Sequence, residues 1–171
     1  MNQSDFEDFH EQTATQLWAY IIRICGNREL SKDILQESYL RFLQRPPNSN
    51  DFAAMKSYLY TIATRLNIDR LKSSGYRRLS FYSFFGEERE PASDFQMKSS
   101  LRIDMDFVFH LLKPKERAIL WLAYVEEHPH DSIAHILGCK KPSVKVMLFR
   151  ARRKLTALLK QYKVDEEHGY E

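Results

Sequence analysis

Apolar positions recur at helical spacing from the start of the chain. Phe6, Phe9, Ala14, Leu17, Tyr20, Ile21 and Ile24 lie close to the period that gathers side chains on one face of an α-helix. Gly26-Asn27 predicts its end. A second helix is expected from about Ser31 to Arg45, with Ser31 as N-cap and Ile34, Leu35, Tyr39, Phe42 and Leu43 supplying core. Pro46-Pro47 stops it, because proline lacks the N–H and clashes with the preceding turn. A third helix starts near Asp51 and runs to about Ser73, with Leu59, Ile62, Ala63, Leu66 and Leu71 as its stripe and Gly75 closing it.

The pattern breaks down from Tyr76 to about Arg102. Gly86, Pro91, several serines and a mixed charge run mark a linker. It holds an aromatic cluster, Phe81, Tyr82, Phe84 and Phe85, suited either to packing on its own protein or to a partner. Helical spacing resumes from Ile103 to Leu112. Pro114 then stands at the first position of a helix expected over Lys115 to Glu127, with Ile119, Leu120, Leu122, Ala123 and Val125 inside. Pro129 breaks it. From Asp131 to Leu159 the chain reads DSIAHILG, CKKPS, VKVMLFRARRKLTALL. That order of short amphipathic helix, glycine-containing turn and longer helix is a helix-turn-helix. The expected fold class is all-α: two small helical domains, 1–75 and 103–171, joined by a flexible linker at 76–102, the C-terminal domain being the helix-turn-helix.

Charge sharpens this picture. The formal net charge is only +3. Yet Lys140, Lys141, Lys145, Arg150, Arg152, Arg153, Lys154, Lys160 and Lys163 follow one another with no acid between them. Acids gather instead at Asp5, Glu7, Asp8 and Glu11, and at Glu87, Glu88, Glu90, Asp94, Asp104 and Asp106. Such segregation suits a phosphate-binding face. No stretch approaches the roughly 18 apolar residues of a membrane span, and the first residues lack the apolar run of a signal peptide. Two cysteines make no disulfide framework. The expectation is a cytoplasmic protein without direct membrane insertion.

On the last helix Val144, Leu148, Ala151, Leu155, Leu158 and Leu159 form one apolar stripe. Pro142, Val146, Phe149 and Arg153 point the other way, flanked by Ser143, Lys145 and Arg150, and make the candidate groove-reading face. Val146 and Phe149 suit thymine methyl groups, or packing on a neighbour. Lys140 or Lys141 stands where a capping Ser or Asp would stabilise the helix by roughly 1 kcal/mol, and cations there oppose the helix dipole. A phosphate at that end would resolve the conflict. Upstream, Asp33, Gln36 and Glu37 share one polar helix face. Between Arg65 and Arg78 five cations (Arg65, Arg70, Lys72, Arg77, Arg78) accompany one acid, Asp69. With Tyr58 and Tyr60 this suits unstacked bases beside a phosphate backbone, although tyrosines at helical spacing equally suit a core. His128, His130, His135 and Cys139 fit no standard zinc spacing. No metal, cofactor or enzyme active site is expected.

These segments carry a resemblance. LSKDILQESYLRFL followed by SYLYTIATRLNIDRLKS resembles region 2 of the extracytoplasmic-function (ECF) sigma factors of bacterial RNA polymerase. LKPKERAILWLAYVEEHPHDSIAHILGCKKPSVKVMLFRARRKL resembles their region 4. The resemblance implies that Asp33, Gln36 and Glu37, matching D-x-x-Q-E, dock on the clamp helices of the polymerase's largest subunit. It implies that the loop from Pro46 to Phe52, with Asn48, Ser49 and Asn50, captures a base flipped from the −10 element, a step costing a few kcal/mol of unstacking. Tyr58 stands where the family usually has Trp, and Arg65, Asn67, Arg70 and Lys72 join it as expected −10 contacts. Leu59, Ile62, Ala63, Asp69 and Leu71 also follow the family pattern. Ser143, Val144, Lys145, Arg150, Ala151 and Arg152 match T-V-K-x-x-x-x-R-A-R, whose helix reads the −35 element. Lys140, Lys141, Ser143, Lys145, Val146, Phe149, Arg150 and Arg153 are the expected −35 contacts. Departures at Ser132, Glu127, Pro142, Lys140, Met147 and Phe149 bear on which promoter is read. The implied partners are core RNA polymerase, promoter DNA and an anti-sigma factor, with the free protein a monomer. The acidic linker would thread toward the polymerase's active-site and RNA-exit region. Two other readings stay open: a stand-alone helix-turn-helix regulator, typically a dimer on a palindrome, and an interaction module that sequesters an anti-sigma factor or a polymerase surface.

Overall fold

Helix α1 (Gln3–Cys25) begins at a reciprocal cap. The Asn2 side chain accepts from the Asp5 N–H at 2.7 Å, and the Asp5 carboxylate accepts from the Asn2 N–H at 3.1 Å. Two of the N–H groups that a helix start leaves open are thereby satisfied. The helix ends at Gly26, whose φ of 75° is a left-handed conformation that a Cβ would strain. Asn27 then caps α2 (Arg28–Gln44), accepting from the Leu30 N–H at 2.8 Å. The expected start at Ser31 is corrected by this geometry. Ser31 lies buried inside the helix, and its hydroxyl donates back to the Asn27 carbonyl at 2.6 Å. Asp51 caps α3 (Phe52–Lys72), accepting from the Ala54 N–H at 2.8 Å.

The computed structural model describes residues 1–73 and 105–162. Gly75, the expected linker at 76–102 and the Phe81–Phe85 cluster lie outside the described residues. Among the described residues there is no strand.

The first three helices surround a core that includes Leu17, Tyr20, Ile21, Ile34, Phe42 and Leu59. Phe9 stacks on Phe42 with ring centres 5.0 Å apart. Buried hydroxyls are paired: Thr13 with Tyr39, and Tyr20 with Thr64, each at 2.7 Å. Unpaired, each would cost the desolvation of a polar group. Leu43, expected inside, is exposed; it and Leu40 lie on the outer side of α2.

After a helical stretch at 105–110, Pro114 opens α4 (Pro114–Tyr124). The Glu116 carboxylate accepts from the Lys113 N–H at 2.7 Å and from Lys154 Nζ at 2.9 Å, so one side chain closes the start of α4 and ties it to α6. Helix α4 ends earlier than its periodicity suggests. Val125 is therefore more than half exposed rather than inside, where the chain turns out through Glu127 at φ 51°. Then follow α5 (His130–Leu137), a turn at Gly138 with φ 63°, and α6 (Lys141–Gln161). Val144, Leu148 and Ala151 of α6 are buried against α4 and α5.

The two halves do not stand apart. Helix α1 packs on α4 and α3 packs on α5, so their apolar cores form one cluster.

Candidate nucleic-acid interface

Helix α6 is two-faced. With Val144, Leu148 and Ala151 turned inward, the opposite side presents Ser143, Lys145, Val146, Phe149, Arg150 and Arg153, all exposed. Val146 is 49% and Phe149 51% exposed, which leaves two bulky apolar groups standing among cations. The Arg153 guanidinium lies 5.7 Å from the Phe149 ring centre, a cation–π distance that limits where the charge can swing. Lys140 and Lys141 are exposed at the start of the helix. Lys140 takes the N-cap place without a side-chain cap bond, and Lys141 pairs with Asp131 across the turn at 2.8 Å. The structure thus brings all eight expected −35 residues to one end and one side of α6.

A second concavity lies beside the 46–51 loop. It encloses about 500 Å³ between that loop and α1, with Phe9, Phe42, Phe52, Pro47, Ser49 and Asn50 in its wall. Aromatic walls with amide and hydroxyl groups at the lip suit a flat heterocycle. Asn48 is exposed on the same loop. Tyr58 is half-buried, its ring 5.9 Å from that of Phe42. Arg65 and Lys72 are exposed further along α3, and Arg70 is half-buried.

Asn67 is different. It is fully buried, and its side-chain amide donates to the Ile21 carbonyl at 3.1 Å. Its expected place among the −10 contacts is corrected: it clips α3 to α1 and presents nothing to solvent.

On α2, Asp33 and Gln36 are exposed and Glu37 is half-buried, accepting from Arg41 Nε at 2.7 Å. Leu40 continues the same stripe, 55% exposed. The sequence reading missed it, although it sits three and four residues after Glu37 and Gln36 and so on their face.

Residues 9–76 match the family model described as Sigma-70 region 2, and residues 108–155 match Sigma-70, region 4, together more than half of the chain. The chain is 26% identical over 154 residues to ECF RNA polymerase sigma factor SigL of Mycobacterium tuberculosis, covering 89% of this chain and 87% of that one. It is 23% identical over 165 residues to ECF RNA polymerase sigma factor SigM of Bacillus subtilis, with 94% and 98% covered. Among solved structures it is similar to the sigma factor RpoE of Bartonella quintana, determined in complex with the anti-sigma factor NepR. There the TM-score is 0.64 at 20% identity, with 91% and 97% covered, a likeness of fold. With the two sigma-70 regions in order on one helical chain, and ECF relatives along nearly its whole length, the chain belongs to the sigma-70 family as a sigma factor of the ECF type.

Proposed function

We propose that α2 docks this sigma factor on core RNA polymerase, that the cavity beside the 46–51 loop takes a base flipped from the −10 element, and that α6 reads the −35 element. The domain boundaries follow: 1–75 for polymerase and −10 DNA, 103–171 for −35 DNA. The observation that carries the reading is the outer face of α6, where Lys145, Arg150 and Arg153 surround exposed Val146 and Phe149. Cations fix such a helix on phosphates, and apolar tips supply contact with thymine methyl groups.

The protein holds no catalytic role; the polymerase supplies the chemistry. Its place is the cytoplasm, with the polymerase and the DNA; no described helix is long and apolar enough to cross a membrane. The likeness to an RpoE solved with NepR supports an anti-sigma partner for this chain as well.

The test is co-elution of the purified chain with bacterial core polymerase, with Asp33→Lys as control. Co-elution of the native chain and its loss in the control supports the docking assignment. A folded, inhibitor-free chain that never co-elutes would turn the reading toward a stand-alone helix-turn-helix regulator.

A further inference from the structure

Helix α6 carries positive charge beyond its groove-reading face. Phe149, Arg152, Arg153, Thr156, Ala157 and Lys160 line an open groove of about 400 Å³ along its outer side. Their steps of three and one residues keep them on one helical stripe, and all six are exposed. Among the described residues no acid pairs with Arg152, Arg153 or Lys160. Lys154, on the other side of the same helix, is held by Glu116 at 2.9 Å. The stripe thus sets three cations without counter-charge along about 12 Å of helix.

The sequence supplies opposite charge directly after the helix. The cation run ends at Lys163; after Val164 come Asp165, Glu166 and Glu167, then Tyr170 and Glu171. These residues lie outside the described ones. Tyr162, just before them, meets Phe107 edge-on with ring centres 5.3 Å apart, which anchors the point where they leave the domain.

Reach and order both fit. Lys163 and Val164 give the chain room to reverse. An extended segment covers about 3.3 Å per residue, against about 1.5 Å per residue of helix. With Asp165 beside Lys160, Glu167 falls about 7 Å back along α6 and Tyr170 about 16 Å back. From Lys160, Arg153 is about 10 Å back and Phe149 about 16 Å back. Glutamate side chains cover the remaining few ångströms. Three acids followed by an aromatic ring therefore meet three cations followed by an aromatic ring.

We infer that Asp165, Glu166 and Glu167 fold back onto the Arg152, Arg153 and Lys160 stripe and stand there in place of DNA phosphates, so that the chain carries its own competitor for this end of the −35 face. This rests on the assignment of α6 to DNA made above. Tethering by so short a segment gives a local concentration of roughly millimolar, so weak ion pairs suffice. Such pairs are exposed and are screened over about 10 Å at 0.1 M salt. Val146 and Arg150 stay uncovered. The competitor therefore weakens phosphate-driven, non-specific binding more than binding that also gains base contacts.

The docking is tested on the full chain without DNA. In an Arg153→Lys variant, carbodiimide coupling followed by mass spectrometry should join Asp165, Glu166 or Glu167 to the amine introduced at position 153. Lys154, one residue on but on the other side of α6, should couple several-fold less, and the preferred link should fade at high salt. Equal coupling at the two positions overturns the docking.

The competition is tested with Asp165→Asn/Glu166→Gln/Glu167→Gln and a pool of short random-sequence duplexes, read by fluorescence anisotropy. At low salt the variant should bind roughly fivefold tighter than native protein or better, with a steeper fall of log affinity against log salt, and the two should converge at high salt. Glu7→Gln/Asp8→Asn/Glu11→Gln changes net charge equally at exposed positions on α1. An equal gain in that control, or no gain in the first variant at unchanged helix content, overturns the competition. If neither native protein nor variant binds duplex DNA at low salt, the −35 assignment fails instead, and the cross-link alone upholds or overturns the docking.

Discussion

Asn67 donates its side-chain amide to the Ile21 carbonyl at 3.1 Å, across the buried contact of α3 with α1. Arg65, two positions earlier, stands in solvent on the side of α3 away from that contact. The pair separates structure from recognition on one helix. Asn67→Ala should lower unfolding free energy by about 1–2 kcal/mol through the lost hydrogen bond and the space it leaves. Arg65→Ala should leave stability within about 0.5 kcal/mol of native and weaken binding to −10 DNA. Urea unfolding and single-strand DNA titration of both variants check this. Equal destabilisation by the two would contradict the placement of Arg65.

His110 supplies a pH dependence. Burial first, and then the Arg117 and Arg23 charges, push its pKa down to about 3. In the unfolded chain the value is about 6.5. Below pH about 6.5 the unfolded chain therefore takes up a proton that the folded chain refuses, so stability falls as pH drops from there toward 3. Above 6.5 the contribution is fully present. The slope is at most about 1.4 kcal/mol per pH unit. His128 is pushed the same way by burial and by Lys56. The melting temperature should drop between pH 7.5 and 5.5, and His110→Phe should flatten part of that drop. An unchanged slope in the variant would remove His110 as its source.

Much of this was legible in the sequence because it is local. The stripe of Val144, Leu148 and Ala151 follows from helical period alone, and the turns at Gly26 and Gly138 from residue type. The start of α2 was misread because Asn27 and Ser31 are both good caps, and only the Leu30 N–H decides between them. Asn67 was misread because a buried amide and a surface amide look alike in a string of letters. The contact between the two halves was invisible for a different reason. Arg117 and Ile24 are 93 positions apart, as are Tyr60 and Glu126 by 66, and no periodicity within a helix points to a partner on another half.

The α2 stripe gives a prediction about assembly. Asp33 and Gln36 are exposed and Leu40 extends their face. Charge reversal at Asp33 or Glu37 should weaken core-polymerase binding by tenfold or more without lowering helix content. Glu37 also holds Arg41 at 2.7 Å, but an exposed pair of this kind contributes at most about 0.5 kcal/mol. Holoenzyme formation by size exclusion, beside circular dichroism, measures both. A normal holoenzyme from Asp33→Lys would refute the assignment of this face.

Lys140 sets stability against binding. It occupies the N-cap of α6, yet makes no side-chain cap bond, and its charge faces the positive end of the helix dipole. Serine there would satisfy an open N–H and remove that repulsion, so Lys140→Ser should stabilise the protein by about 0.5–2 kcal/mol. The same change should weaken −35 duplex binding, because one phosphate contact goes. The slope of log affinity against log salt should fall in magnitude by about 0.9, the share of a single phosphate on duplex DNA. Arg150→Ala, on the outer face of the same helix, should instead reduce discrimination between −35 sequences. Fluorescence anisotropy across a salt series, with thermal melts of the same samples, reads all three effects. A Lys140→Ser protein that binds −35 DNA with unchanged affinity and unchanged salt slope would show that no phosphate sits at that helix end.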